Sequence, residues 1–340
     1  MKRFFAAFLI VLFCAAPLAS CTGIEQGGAE TTDPITDLTT EQIEAGTEVS
    51  TKDKKTSEAV MLTFMSYNIE MYGHPDSAKG WNGRDPAKAM ETVLDVSPDI
   101  LGLQEVNLGW SSSVSAMKSK GYTWIMGDIS PVNRPDLLYK TEKFDELDSG
   151  FERYKELVAK FPRVSAAGAD MKQDQQIRLF TWALLQEKIT GKKILAISTH
   201  LHYRKNSSEK ASSKENTLVR QYEIRLLLAW IGAQTFDYDC VVVMGDMNDD
   251  YSSGSGMETI DVFRDGGFSV TRDSAASKGD TGGTLDGTDR TVRQQWIFDY
   301  ILTKGNVQTD YYTVIDNKND NDDTSYPSDH LPIMARITCR

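Results

Sequence analysis

Six short stretches of the chain place beside an apolar run a side chain able to bind a cation or move a proton. Asn68 and Glu70 follow Leu62–Tyr67, and Glu105 follows Ile100–Gln104. His200 follows Ile194–Thr199, and Asp246 and Asn248 follow Val241–Met244. Asp299 lies inside Phe298–Leu302, and Asp329 and His330 stand just before Ile333–Thr338. A carboxylate or amide at one strand end means little, because Asp and Asn suit turns. Together these residues form a set of hard oxygen ligands and imidazoles with no clustered cysteine, which suits Mg²⁺ or Mn²⁺ and not a zinc–thiolate site. Such a set has the chemistry for attack of water on an anionic ester. A cation offsets the crowded negative charge, histidine donates or accepts a proton near neutral pH, and an aspartate partner fixes the imidazole tautomer.

Positioning these groups requires strands that share an edge. The apolar runs are strand-length and bounded by polar or turn residues, as is Leu137–Tyr139; Thr181–Gln186 is another such run. Helical patterns lie between them at Pro86–Val96 (with Asp85 placed to cap it), Ser111–Lys120, Phe151–Lys160 and Glu215–Ile231. The last carries Leu218, Tyr222, Ile224, Leu227, Leu228 and Ile231 as an apolar stripe, expected to pack on a sheet. Two packed sheets covered by helices accommodate this many strands. Polar loops at 203–214, 250–257, 271–290 and 316–328 are long enough to suspect function.

The ordered motifs Tyr67-Asn68-Ile69-Glu70, Leu103-Gln104-Glu105-Val106, Thr199-His200-Leu201, Gly245-Asp246-Met247-Asn248, Asp299-Tyr300-Ile301 and Ser328-Asp329-His330-Leu331-Pro332 resemble the endonuclease/exonuclease/phosphatase superfamily. That superfamily includes pancreatic-type deoxyribonuclease, abasic-site endonucleases, neutral sphingomyelinases and inositol-polyphosphate phosphatases. The resemblance spans about residues 62–338 and implies an α/β fold: a four-layer α/β sandwich with two central, mainly antiparallel sheets flanked by helices. It further implies Glu105 as the main ligand of Mg²⁺ or Mn²⁺ with Asn68 beside it. Asp329 would be a metal-site carboxylate or the partner of one, and Glu70 is either near the metal or a surface side chain. Asp246 and Asn248 would position or activate the attacking water and hold the phosphate. His330 would be oriented by Asp299, and His200 would contact a phosphoryl oxygen or protonate the leaving oxygen. Arg204 and Lys205, in a locally basic loop with Lys210 and Lys214, and Arg178 are candidates for contacting further substrate phosphates; Arg134 is expected to be paired structurally. His74 and His202 are expected at the surface.

The first sixty residues read differently. Met1-Lys2-Arg3, an apolar run from Phe4 to Ala16, and small residues describe a secretory signal over residues 1–20, and the run is too short to span a bilayer. Leu18-Ala19-Ser20-Cys21 resembles the bacterial lipobox, which implies lipidation of Cys21 and a cell-envelope location, in the outer membrane if the cell has one. Residues 21–60 are polar and acidic and read as a disordered tether, leaving 61–340 as the catalytic domain. The 340-residue chain has a formal net charge of −12. The signal contributes Lys2 and Arg3, and the tether nine acids and three lysines, so about −8 remains on the domain. That excludes a strongly basic nucleic-acid binder but not a nuclease, since a bound cation reverses the local field. Of four cysteines, Cys240 and Cys339 begin and end apolar strands; the compartment permits their pairing, and two buried free thiols are the simpler reading.

The expectation is thus an exported, membrane-anchored, monomeric hydrolase of a phosphate ester. A phosphodiester in nucleic acid or a lipid head group is favoured. A phosphomonoesterase of inositol phosphates or small metabolites is the alternative, and an inactive surface binding protein of the same fold is the third reading.

Overall fold

A computed structural model describes residues 58–70, 86–128, 134–169, 171, 178–203, 213–250, 255–285, 293, 295–318 and 326–340. The signal segment, Cys21, most of the tether, Asp85, His74, Arg204, Lys205 and Lys210 lie outside the described residues.

Thirteen strands and six α-helices are formed among them. The strands are β1 (Val60–Asn68), β2 (Ile100–Val106), β3 (Tyr122–Ile125), β4 (Arg134–Lys140), β5 (Phe144–Arg153), β6 (Leu179–Glu187), β7 (Lys193–His200), β8 (Cys240–Asp246), β9 (Ser269–Val270), β10 (Ser277–Lys278), β11 (Asp299–Gly305), β12 (Val307–Val314) and β13 (Ile333–Cys339). The helices are α1 (Pro86–Val96), α2 (Ser111–Ala116), α3 (Tyr154–Lys160), α4 (Lys214–Gly232), α5 (Ser255–Asp265) and α6 (Thr271–Ser274). The strands build a seven-stranded sheet in the order β10-β12-β13-β1-β2-β4-β3 and a six-stranded sheet in the order β5-β6-β7-β8-β11-β9. Most pairings are antiparallel, but β1–β2, β10–β12 and β7–β8 are parallel, so both sheets are mixed.

Strand periodicity sorts the core into three layers of side chains. Leu62, Phe64, Ile100, Ala196, Val242, Met244, Ile333 and Ala335 fill the space between the sheets. Their strand neighbours point outward, since successive side chains alternate faces. Met65, Tyr67, Leu101 and Leu103 meet α1 and α2 through Ala89, Met90, Val93 and Val114. Ile197, Val241 and Val243 meet α3, α4 and α5 through Leu157, Leu227, Trp230 and Phe263. The result is helix, sheet, sheet, helix, the α/β sandwich that the motif order implied.

Three sequence expectations change. Phe151–Arg153 belong to β5, and the third helix starts only at Tyr154. The second helix is α-helical to Ala116 and tightens to a 3-10 turn over Met117–Lys120, ending on Gly121 at φ 87°. The stretch read as a loop from 271 carries α6 and β10, and α5 begins at Ser255.

Gly245 is dictated by close approach. A Cβ there would lie 2.0 Å from the carbonyl oxygen of Thr199, its partner in the β7–β8 register. Only glycine lets the strands carrying His200 and Asp246 run side by side at their ends.

Candidate active site

Register brings the chemistry together. In the six-stranded sheet, His200 ends β7 opposite Asp246 at the end of the parallel β8. Asp299 opens β11 opposite the same Asp246. In the seven-stranded sheet, Asn68 ends β1 opposite Gln104 of the parallel β2, which places Glu105 next to it. His330 stands three residues before β13 and forms a bridge with Leu285.

The two sheets meet at this edge through side chains. Asn68 Nδ2 donates to Asp246 Oδ2 at 3.0 Å and to Glu105 Oε1 at 3.4 Å. The Asn68 carbonyl accepts from Ser328 Oγ at 2.6 Å, and Ser328 Oγ accepts from the His330 N–H at 3.1 Å. Below them a buried polar chain crosses the sandwich: Ser66 Oγ donates to Gln104 Oε1 at 3.4 Å, and Gln104 Nε2 donates to Ser198 Oγ at 3.2 Å. Satisfied buried polar groups of this kind fix one relative position of the sheets.

Around Asp246 two imidazoles converge. His200 Nε2 lies 3.3 Å and His330 Nε2 3.7 Å from Asp246 Oδ2. His330 Nδ1 is 2.8 Å from Asp299 Oδ2. All four residues are buried. Burial alone would pull the His330 imidazole down, but the carboxylates of Asp299, Asp246 and Asp329 overcome it and hold it well above the usual histidine range. It therefore stays cationic and donates from Nδ1 to Asp299. His200 is the opposite case. Burial first, then the charges of Arg178 and His330, push it well below that range and keep it neutral. Burial drives the Asp246 carboxyl up to about 7, against the pull of His330.

Asn248 folds back so that its N–H donates to Asp246 Oδ1 at 2.7 Å, while its side-chain amide donates to the Leu201 carbonyl at 2.8 Å. Asn248, Glu105 and Glu70 adopt φ of 52°, 61° and 52°. These left-handed conformations are unusual for residues with a Cβ and concentrate where function demands them. Glu70 Oε2 accepts the backbone N–H of Asp329 at 3.2 Å, and its carbonyl accepts Trp110 Nε1 at 2.7 Å. Its carboxylate therefore belongs to the site's edge.

Among the described residues no three His, Cys, Asp or Glu side chains close into a metal cage. The donor set still fits Mg²⁺ or Mn²⁺. Glu105, Asn68 and the half-buried Asp329 offer only oxygen ligands, and a hard cation of this size is commonly held by one or two carboxylates plus water and substrate oxygens.

Arg178 turns a buried Nη1 that has no hydrogen-bond partner, and its charge acts on His200, His202 and Glu223. Arg134 pairs with Asp136 at 3.0 Å in a buried ion pair, as expected of a structural arginine. His202 corrects the sequence reading: it is buried, with Nε2 2.9 Å from Asn216 Oδ1. Burial displaces its imidazole down to about 4, so it stays neutral.

Sequence reasoning missed the polar face of α4 that holds this histidine. Glu223 Oε2 accepts the His202 N–H at 2.8 Å, and Arg220 Nη1 donates to the His202 carbonyl at 3.2 Å. Asn216, Arg220 and Glu223 recur at helical spacing, the signal that could have revealed a second, polar stripe. Burial pushes the Glu223 carboxyl up to about 8. A folded value above the unfolded one means that Glu223 favours folding most below about pH 4.5 and that this contribution is lost as pH rises through about 8. Glu223→Gln is therefore expected to flatten the fall in stability between those limits. Urea unfolding at pH 5 and pH 8 checks this, and a variant with the wild-type pH dependence would refute it.

The Endonuclease/Exonuclease/phosphatase family profile matches residues 65–330. The chain belongs to that family. No curated protein sequence matches it. Among solved structures, it is similar to an endonuclease/exonuclease/phosphatase family protein of Bacteroides thetaiotaomicron, with 19% identity over 84% of this chain and 97% of that one at a TM-score of 0.64. A mannosyl-6-phosphatase of the same organism matches with 21% identity over 81% and 99% at 0.62. TDP2 of D. rerio, complexed with a single-strand DNA product, matches with 18% identity over 82% and 98% at 0.58. At these identities the likeness is one of fold. Family members are hydrolases acting on phosphoesters, and this chain has that phosphoesterase fold.

Proposed function

We propose that this family member is an exported, divalent-metal-dependent phosphoesterase that cleaves a phosphodiester by in-line attack of water. The observation that carries the reading is the convergence of His200, His330 and Asn68 on one buried carboxylate, Asp246, with Asp299 behind His330. Asp246 is the base placed to take a proton from water, since burial brings its carboxyl near neutrality and a base titrating near the working pH is the most effective. His330, held cationic, opposes charge building on the phosphoryl oxygens, and Asp299 fixes its orientation. His200, neutral, is the second imidazole available to a phosphoryl or leaving oxygen, and Asn248 holds the Asp246 carboxylate in place. Arg178 is the cation set to meet a substrate phosphate, with Arg204 and Lys205 as further contacts. Mg²⁺ or Mn²⁺, held by Glu105 with Asn68 and Asp329, would supply charge neutralisation at the phosphate.

The test is hydrolysis of bis(p-nitrophenyl) phosphate by the purified chain with Mg²⁺, with Mn²⁺ and with EDTA. Metal-dependent turnover abolished by EDTA is expected. Release of inorganic phosphate from monoesters, with no diester turnover by folded, metal-supplied protein, would replace the diesterase reading by a phosphomonoesterase. The fold accommodates either, since one of its similar structures is named a phosphatase and another is bound to a DNA product. Anchoring through Cys21 has its own test. Cys21→Ser should move the chain from the membrane fraction to the soluble fraction, and an unchanged distribution would sink the lipid anchor.

A further inference from the structure

We propose that Cys240 and Cys339 form a disulfide that staples the two sheets together at the end of the sandwich remote from the active site. Both cysteines are fully buried and unbonded in this structure, and their sulfur atoms lie 2.7 Å apart. They belong to different sheets: Cys240 opens β8 in the six-stranded sheet, and Cys339 closes β13 in the seven-stranded one. Cys240 is opposite Gly305 and Cys339 is opposite Val307. Gly305-Asn306-Val307 is the short turn by which the chain crosses from β11 in one sheet to β12 in the other. The pair therefore sits beside a sheet-to-sheet crossing. Gly305 is left-handed at φ 116°, and a Cβ there would lie 2.6 Å from the Asp239 carbonyl oxygen, so this corner is already tightly closed.

The location separates the bond from catalysis. β8 runs from Cys240 to Asp246, a rise of about 20 Å at roughly 3.3 Å per residue. β13 likewise begins beside His330 and ends at Cys339. No apolar partner is displaced by the bond, since the two thiols face each other inside the inter-sheet core.

The chemistry balances with a disulfide donor such as oxidised glutathione. As the strands assemble, one cysteine thiolate attacks a glutathione sulfur and releases one glutathione thiolate. The second cysteine thiolate then attacks the mixed disulfide and releases the other. Two protein thiols have lost two protons and two electrons, and one glutathione disulfide has become two glutathiones. The bond closes a loop between residues 99 apart in sequence, and long loops gain most from closure in the chain-entropy view.

The experiment uses the full chain, unfolded and refolded in oxidised and reduced glutathione, then blocked with iodoacetamide in denaturant and digested without reductant. The expected result is one peptide pair joined through Cys240 and Cys339, lighter by two hydrogen atoms than its parts and separated by reduction. The joined protein is also expected to melt higher than a Cys240→Ala/Cys339→Ala variant, whose melting does not respond to reductant, with equal phosphoesterase activity in both. Two alkylated cysteines, or linkage of either to another cysteine, would overturn the proposal. Equal melting of the joined protein and the variant would overturn the stapling role.

Discussion

Replacement of His330 by alanine is expected to lower kcat toward bis(p-nitrophenyl) phosphate by about 10²–10³-fold, the range associated with removing one preorganised group that stabilises charge in the transition state. The imidazole is a cation that Asp299 and Asp246 jointly stabilise. Its removal leaves Asp299 Oδ2 without the 2.8 Å contact it has now, while Asp299 Oδ1 is already a buried oxygen with no partner. A stability loss of about 1–3 kcal/mol should accompany the kinetic one, since an orphaned buried acceptor retains its desolvation cost. Asp299→Asn separates the two effects. It keeps the shape and a carbonyl acceptor but removes the charge that raises His330. The imidazole then loses its proton at a lower pH, so the alkaline limb of the kcat profile should move toward lower pH. A His330→Ala protein that folds and turns over within tenfold of wild type would remove His330 from the chemistry. An unshifted alkaline limb in Asp299→Asn would remove Asp299 as the source of its charge.

Legibility followed burial. Val241–Met244 and Ile194–Ile197 lie in central strands covered on both faces, so they read as unbroken apolar runs that mark β8 and β7. β5 is an edge strand, Phe-Asp-Glu-Leu-Asp-Ser-Gly-Phe-Glu-Arg, mostly exposed or half-buried along its length. Its charges are what an edge needs against unwanted pairing, and they hide its strand character. β12, also polar in pattern, went unread for a related reason. The site residues were legible because chemistry at a strand end leaves an acid, amide or imidazole just past an apolar run. What supports them was not. Gln104 and Ser198 join across the inter-sheet space and Ser328 ties Asn68 to His330, and nothing local to their sequence announces it. On α4, the apolar stripe read as the core face drew attention from Asn216, Arg220 and Glu223, which look like a solvated helix face yet are buried. Burial of a charge depends on a partner elsewhere in the chain, and for Arg220 the partner is Asp249, 29 residues away.

That ion pair carries the second large expectation. Arg220 is fully buried and donates to Asp249 Oδ2 from Nε at 3.2 Å and from Nη2 at 2.9 Å, and Thr259 Oγ1 donates to the same oxygen. Arg220→Met keeps most of the volume but strands the Asp249 carboxylate in the core. Breaking a buried pair from one side costs about 3–5 kcal/mol, a large part of the roughly 5–15 kcal/mol that holds a domain folded. Urea denaturation should show the loss directly. Arg220 also donates to the carbonyls of His202 and Tyr203, at 3.2 and 3.3 Å, and so anchors the segment that leaves His200. The double change Arg220→Met/Asp249→Leu distinguishes these duties. With both charges gone, much of the stability should return, because apolar replacement of a whole buried pair is often neutral. The kcat should stay low, because the carbonyls after His200 still lack their donor. Full recovery of kcat in the double variant would reduce Arg220 to a stabilising residue. A single-variant cost below about 1 kcal/mol would contradict the buried pair itself, since that is the range of exposed ion pairs.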